Sequence, residues 1–173
     1  MFMKESNITE EKKRAVFQQI EQSLNENGIK IESKDDSRPW GGFFVIDTDY
    51  TRSFIDHFFS GTSIGKIDTS LHLSPKILLV QPEQRLSWQY HHRRSELWTV
   101  AEGEVGVISS DTDEQGDLKV LKKGDVIQLD QGERHRLVGL NDWAVVAEIW
   151  QHSDPDQLSD EEDIVRLQDD YGR

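Results

Sequence analysis

WQYHHRRSELW, residues 88–98, sets two histidines, two arginines and a glutamate among bulky aromatic side chains. Read locally, the stretch is either a solvated polar turn or part of a site where side chains converge on one metal ion. Alternate residues of a strand share a face. Gln89 and His91 are therefore in phase, and so are Glu96, Trp98 and Val100 on the next segment. The residues between His91 and Glu96 allow a turn that lays the two segments side by side. Gln89, His91 and Glu96 can then approach one point. Three ligands leave a first-row metal site incomplete, and His135, in QGERHRL (131–137), is the candidate fourth. Imidazole and carboxylate suit Zn, Fe, Mn, Co or Ni, and an amide oxygen adds a harder ligand. Such a set leaves coordination positions open to a substrate.

Around this stretch the chain reads as short strands. Apolar, β-branched runs occur at 76–81, 97–100, 105–108, 118–121, 126–129, 135–138 and 144–150, punctuated by EG, GD, KKGD, QGE and ND. Evenly spaced strands with such turns predict an all-β sandwich or barrel. Upstream, residues 8–27 have helical spacing, with Thr9 as N-cap and Gly28 as the stop. A helix there would cover one end or face of the body. Short strands are expected at Ile29–Ser33 and Phe43–Ile46, and a short helix over 51–59. GTSIGK (61–66) superficially resembles a phosphate-binding loop. It is one residue short of that spacing and lacks the following Ser/Thr, so it reads as an ordinary loop. Charge alone makes the tail from Ser153 to Arg173 look disordered, yet Ile164, Val165, Leu167 and Tyr171 are apolar anchors.

The 173 residues carry a formal net charge of −13 and no cysteine. Disulfides and thiolate metal sites are thereby excluded. The acidic excess repels nucleic acid and anionic membranes, so neither is an expected partner. A small anionic ligand would need a local basic pocket set against that field. The N-terminal stretch lacks the apolar core of a signal peptide and no apolar run approaches a membrane span, so the expected location is cytoplasmic.

The two clusters together resemble the cupin pattern. Its first motif, G-x5-H-x-H-x4-E-x6-G, has a variant with Gln at the first His. Here Glu83 stands at the Gly position, followed by Gln89, His91, Glu96 and Gly103. The second motif, G-x5-P-x-G-x2-H, is met by Gly124, Asp130 at the Pro position, Gly132 and His135. Within cupins, RPWGG (38–42), RLSWQYHHRRSELW (85–98), GERHRL (132–137) and EDIVRLQDDYGR (162–173) are similar, in the same order, to segments of the type II phosphomannose isomerases. The resemblance implies a cupin double-stranded β-helix (jelly-roll) barrel over 38–173, with the C-terminal tail packed on it. Residues 1–37 would be an added N-terminal helical extension, and roughly 49–75 are extra. Larger bifunctional relatives carry an upstream nucleotidyltransferase domain, for which these residues leave no room.

The resemblance further implies a metal-dependent aldose–ketose isomerase interconverting mannose 6-phosphate and fructose 6-phosphate through an enediol. It places one divalent ion, zinc first, on Gln89, His91, Glu96 and His135. Arg94 matches a functional arginine of the family. Lys76, Arg85 and Arg134 are the nearby basic residues for a sugar phosphate, while Arg136 is out of phase with His135 and reads as structural. Arg38 and Arg173 close the family's first and last motifs, or clamp the tail against Asp163, Asp169 and Asp170. No base is obvious; His92 and Glu148 are candidates. A homodimer is compatible with the family. The departures are Arg93 and Leu97, each where the family has His. They keep open a second function, a non-catalytic or regulatory cupin that binds a sugar or sugar phosphate; residues 49–75, which could reshape the pocket, keep open a third, an isomerase for another sugar phosphate. His57, His72 and His152 read as buried or surface histidines. The five tryptophans read as packing, and SDEED (159–163) as a solvated face or helix start.

Overall fold

The structure, a computed structural model, describes residues 2–59 and 67–173. GTSIGK lies outside the described residues. Helix α1 (Phe2–Glu26) leads into strands β1 (Ile31–Asp35) and β2 (Gly41–Ile46). A 3-10 turn (Thr48–Tyr50) and helix α2 (Thr51–Phe58) follow. Then come β3 (Leu73–Val80), β4 (Trp88–Tyr90), β5 (Arg94–Glu102), β6 (Glu104–Ser110) and β7 (Lys119–Lys122). The chain ends with β8 (Val126–Leu129), β9 (Arg134–Gly139), β10 (Ala144–His152) and β11 (Val165–Gln168). Every strand pair is antiparallel. One sheet runs β1-β2-β3-β10-β5-β8 and the other β11-β4-β9-β6-β7, the two walls of a jelly-roll barrel. Among the described residues no helix is long and apolar enough to cross a membrane.

Two apolar layers hold the molecule. Trp98, Val100, Val105, Leu137 and Val146 fill the barrel between the sheets. Leu97, Ile77, Leu79, Val145, Ala147 and Ile149 point the other way, where Phe17 and Leu24 of α1 and Phe54 and Ile55 of α2 cover the larger sheet. Its middle strands are thus buried on both faces. This is why KILLV reads as a continuous apolar run rather than an alternation, and why every residue of β10 is buried. The helix begins at Phe2, ahead of the expected cap at Thr9. Nothing in residues 2–8 breaks a helix, and good formers such as Met3, Lys4 and Glu5 extend it. Its end is as expected. Gly28 adopts φ +67°, its amide donates to Asn25 O (3.1 Å), and that of Ile29 donates to Leu24 O (2.9 Å). This double closure satisfies the last carbonyls and buries Ile29 against Leu24.

The tail and two departures from the family's motifs explain themselves. The tail is ordered, because β11 pairs with β4 and Arg85 grips Asp170 through two hydrogen bonds of 2.7 and 3.0 Å. Glu83, at the family's Gly position, sits at φ +62°, a conformation that costs a side-chain-bearing residue about 1–2 kcal/mol. Asp130, at the Pro position, uses the amide that proline lacks, donating to Glu133 Oε2 (2.7 Å).

Replacing Glu83, which is exposed, with glycine should therefore stabilise the fold by up to about 1 kcal/mol, after the extra freedom of glycine in the unfolded chain is discounted. Urea unfolding measures this, and a lower midpoint for Glu83→Gly would contradict it.

Candidate metal centre

Register places the polar side chains in two facing rows. On the larger sheet, Glu148 of β10 lies between Lys76 of β3 and Trp98 of β5. On the smaller sheet, Gln89 of β4 lies between His135 of β9 and Arg166 of β11. Residues directly opposite in an antiparallel pair project from the same face, so both rows point into the barrel. Glu96 enters from β5, in phase with Trp98, and His91 closes the end of β4.

His91, Glu96 and His135 are all buried, and each offers a ligand atom within 4.8 Å of the other two. His91 Nε2 is 3.1 Å from Glu96 Oε1, and the two imidazole centroids are 5.1 Å apart. The edge of Trp98 props His135 at 5.5 Å between centroids. Backbone carbonyls assign both tautomers. His91 Nδ1 faces Asp163 O at 2.7 Å and His135 Nδ1 faces Glu133 O at 2.9 Å. A carbonyl only accepts, so each Nδ1 carries the proton and each Nε2 presents a lone pair. His135 Nε2 then confronts Glu96 Oε2 at 3.4 Å. Neither atom has a hydrogen-bond partner, although both are buried. Two buried lone pairs facing each other call for a cation between them. The donor set fits a divalent ion of the borderline class.

The electrostatics bear on each of the three differently. Burial opposes ionisation of Glu96, but the nearby His91 and Arg94 hold its carboxyl well below the usual range. Burial lowers the pKa of His91, with Glu96 pulling the other way. It also works against protonated His135, yet Glu96 leaves that pKa raised. The carboxylate is thus ionised, as a metal ligand must be.

Arg94 is buried beside these groups. Its Nε–H donates to Glu96 Oε1 (2.9 Å), Nη1 to Ser159 Oγ (2.8 Å) and Asp160 O (3.1 Å), and Nη2 to His91 Nε2 (3.2 Å). Its guanidinium stacks on Trp150 at 3.5 Å. Arg94 therefore positions two candidate ligands. The tail supplies the rest of the frame. Asp163 accepts from the His92 and Arg93 amides (3.0 Å each) and from Ser159 Oγ (2.6 Å). SDEED is thus neither a helix start nor only a solvated face: Ser159 and Asp163 are buried. Their contribution had no signal in the charge pattern.

Gln89 lines the same cavity and its Oε1 accepts from Ser87 Oγ (2.6 Å). Lys76 also lines it, ion-paired to Glu161 and 3.8 Å from the Trp150 ring. Two of the expected phosphate-binding residues do not reach it. Arg85 is drawn away to Asp170. Arg134 pairs with Asp113 at 2.9 Å and stacks on Tyr90. Arg136 is structural, as its phase predicted, donating to Leu86 O (2.8 Å) and Gln168 O (3.1 Å). Neither Arg38 nor Arg173 clamps the tail to the barrel: they bond Asp35 and Asp169, respectively. Both line the cavity instead, together with Arg166, which sequence reasoning missed.

The departures from the family also fall outside the cavity. Leu97 is fully buried in the layer beneath the helices, on the opposite face of β5 from Glu96. Arg93 reaches Leu158 O (2.8 Å) and Asp160, holding the tail. His92 is exposed. His152, between Ser74 Oγ (2.7 Å) and the Ser159 amide (2.9 Å), is a buried hydrogen-bonded histidine. Glu148 is on the cavity wall, accepting Trp98 Nε1–H (2.8 Å) and Trp150 Nε1–H (2.7 Å). Burial, with Glu96 close by, pushes its carboxyl up to about 8.

Two outcomes follow. The double variant His91→Ala/His135→Ala should lose bound divalent metal, measured by elemental analysis of purified protein; wild-type stoichiometry would overturn this ligand set. Leu97→His should cost about 2–5 kcal/mol in denaturant unfolding, because it exchanges an apolar core contact for an unpaired polar ring. A negligible cost would mean that position 97 does not face that core.

Comparison with known proteins places this arrangement. The family model described as mannose-6-phosphate isomerase C-terminal matches residues 25–169. Mannose-1-phosphate guanylyltransferase of Escherichia coli is 32% identical over 107 residues, 62% of this chain and 21% of that protein. Its Salmonella typhimurium counterpart ManC is 31% identical over the same share. The chain thus spans about a fifth of the length of these curated relatives. A solved mutant of Bacillus subtilis oxalate decarboxylase OxdC superposes with TM-score 0.55 over 78% of this chain and 30% of that one, at 12% identity, a likeness of fold. A buried His/Glu/His cluster inside a jelly-roll barrel and a family match over most of the chain agree: the protein belongs to the mannose-6-phosphate isomerase C-terminal family and is a cupin.

Proposed function

We propose that the chain is a metal-dependent sugar-phosphate isomerase, converting mannose 6-phosphate to fructose 6-phosphate. One observation carries the reading. Glu96, the carboxylate of the buried His/Glu/His cluster, lines a cavity that it shares with five basic side chains (Arg38, Lys76, Arg94, Arg166, Arg173) and two more acidic ones (Glu148, Glu161), in a chain of net charge −13. A protein that acidic concentrates positive charge in one cavity to hold an anion. The names of the family and of the guanylyltransferases point to mannose phosphates.

The reaction moves a proton between C1 and C2 of the sugar through an enediol. A divalent cation on Gln89, His91, Glu96 and His135, zinc in the first instance, would stabilise the oxyanion that develops there. Arg94 keeps His91 and Glu96 in place. Of the two candidate proton carriers, His92 is exposed and Glu148 is on the cavity wall. A carboxyl raised to about 8 titrates near neutrality, where general acid–base transfer is efficient. Trp98 and Trp150 hold both of its oxygens in place. The cavity measures about 80 Å³, below the ~300 Å³ at the low end of small-molecule sites, so a bound sugar phosphate would extend beyond it or displace side chains at its rim, such as the Lys76–Glu161 pair. The reading of a barrel that binds without turnover rested on Arg93 and Leu97, and both side chains lie outside the cavity.

Metal-loaded protein incubated with mannose 6-phosphate in deuterated water should yield fructose 6-phosphate labelled at C1, and by reversal mannose 6-phosphate labelled at C2, both visible by NMR. No conversion with Zn, Mn, Fe, Co or Ni would sink the proposal for this substrate.

A further inference from the structure

Lys76 and Arg94 are the basic groups nearest the candidate metal ligands, but both are already engaged. Arg94 directs hydrogen bonds to Glu96, His91, Ser159 and Asp160. Lys76 is ion-paired to Glu161. Arg166 is different. It lines the cavity yet makes no side-chain hydrogen bond or ion pair to a described residue. Its guanidinium keeps five N–H donors for a ligand. It stands opposite Gln89 in the row that ends at His135, so its side chain leaves β11 on the cavity face. Two strand spacings, about 10 Å, separate it from His135. A six-carbon phosphate ester can bridge such a span with its carbonyl end at the metal ligands.

Two more arginines face the same space. Arg38 spends only its Nε–H, on Asp35 Oδ2 (2.9 Å). Arg173 forks onto Asp169 through Nε and Nη2 (3.0 Å each), leaving Nη1. Burial and then Arg173 lower the pKa of Arg166; Asp169 opposes this and Arg38 adds to it. Glu161 also offsets the shift, but three guanidinium groups that share a cavity keep unused N–H donors, which an anion with several acceptor oxygens satisfies.

We infer that Arg166, with Arg38 and Arg173 beside it, is the phosphate-binding end of the cavity, and that Lys76 and Arg94 are not its main grip. The assignment rests on reading the cavity as a sugar-phosphate site and fixes how such a ligand lies in it. The phosphate is at the β11 side and the reacting carbons are toward His135.

The test is direct binding to the full-length, metal-loaded chain, using inorganic phosphate and mannose 6-phosphate as probes in calorimetry. Arg166→Gln should weaken both by about tenfold or more, the loss of charge-assisted hydrogen bonds, while metal content stays at the wild-type level. Arg166→Lys should fall between the two. Arg52→Gln makes the same charge change on α2, where the side chain is 76% exposed, and should bind as wild type. Three outcomes would overturn the inference: wild-type protein that binds neither probe, Arg166→Gln that binds both as tightly as wild type, or an equal loss in Arg52→Gln. Arg166-dependent binding without isomerisation would sink the proposed reaction and leave the subsite standing. Isomerisation with an unchanged KM in Arg166→Gln would do the reverse.

Discussion

The hydrogen bond from His91 Nδ1 to the main-chain carbonyl of Asp163, 2.7 Å long, is the contact on which the site depends. It fixes the imidazole so that Nε2 faces Glu96, and it does so from the C-terminal tail. The same residue uses its side chain to accept the amides of His92 and Arg93 and the hydroxyl of Ser159. Burial works against the charge on Asp163, but these donors hold its carboxyl below the usual range. One residue thus anchors the HHRR turn, orients a candidate ligand and pins the segment that lines one side of the cavity. The tail belongs to the site as much as the barrel does.

A second constraint is electrostatic. Taking His91, Glu96 and His135 out of water leaves lone pairs facing one another, a cost that folding alone does not recover. A bound cation would resolve it, and the cluster is one that could hold such an ion. The arginines at the other end of the cavity present the opposite case, N–H donors left over after Arg38 and Arg173 have paired with Asp35 and Asp169. The proposed ligand, a phosphate ester with a carbonyl and an anionic terminus, would complement the two ends at once. The acidic remainder of the surface discourages anions from binding elsewhere.

The strands were legible because their apolar runs and Gly-bearing turns are local signals. Val126–Leu129 falls where the sequence placed it, and β5, β6, β9 and β10 extend the expected runs by a few residues at their ends. β4 and β11 gave weaker signals. β4 is three residues long, and β11 lies in a charged tail whose pairing with β4 is non-local. The convergence of His91, Glu96 and His135 was legible because alternation along a strand is geometric. The partners of the arginines were not. Arg85, Arg94, Arg134 and Arg166 are chemically alike, and their roles depend on which carboxylate or carbonyl the fold brings into hydrogen-bond reach: Asp170 for Arg85, Asp113 for Arg134, Glu96 for Arg94, and none among the described residues for Arg166.

The departure at Leu97 shows the same division. In sequence, a leucine beside the glutamate ligand looks like a lost catalytic group. In the folded chain, residue 97 faces the helices, because neighbours on a strand point to opposite faces and this sheet is covered on both. The sequence by itself determined an all-β sandwich or barrel, which the motif resemblance narrowed to a barrel, the absence of thiolate chemistry and the approach of His91, Glu96 and His135, all of which rest on residue type, spacing and alternation. Only the tertiary structure decided that the tail frames the site, that Arg94 is engaged and that Arg166 makes no hydrogen bond to a described side chain, because hydrogen-bond partners far apart in sequence meet only once the chain has closed on itself.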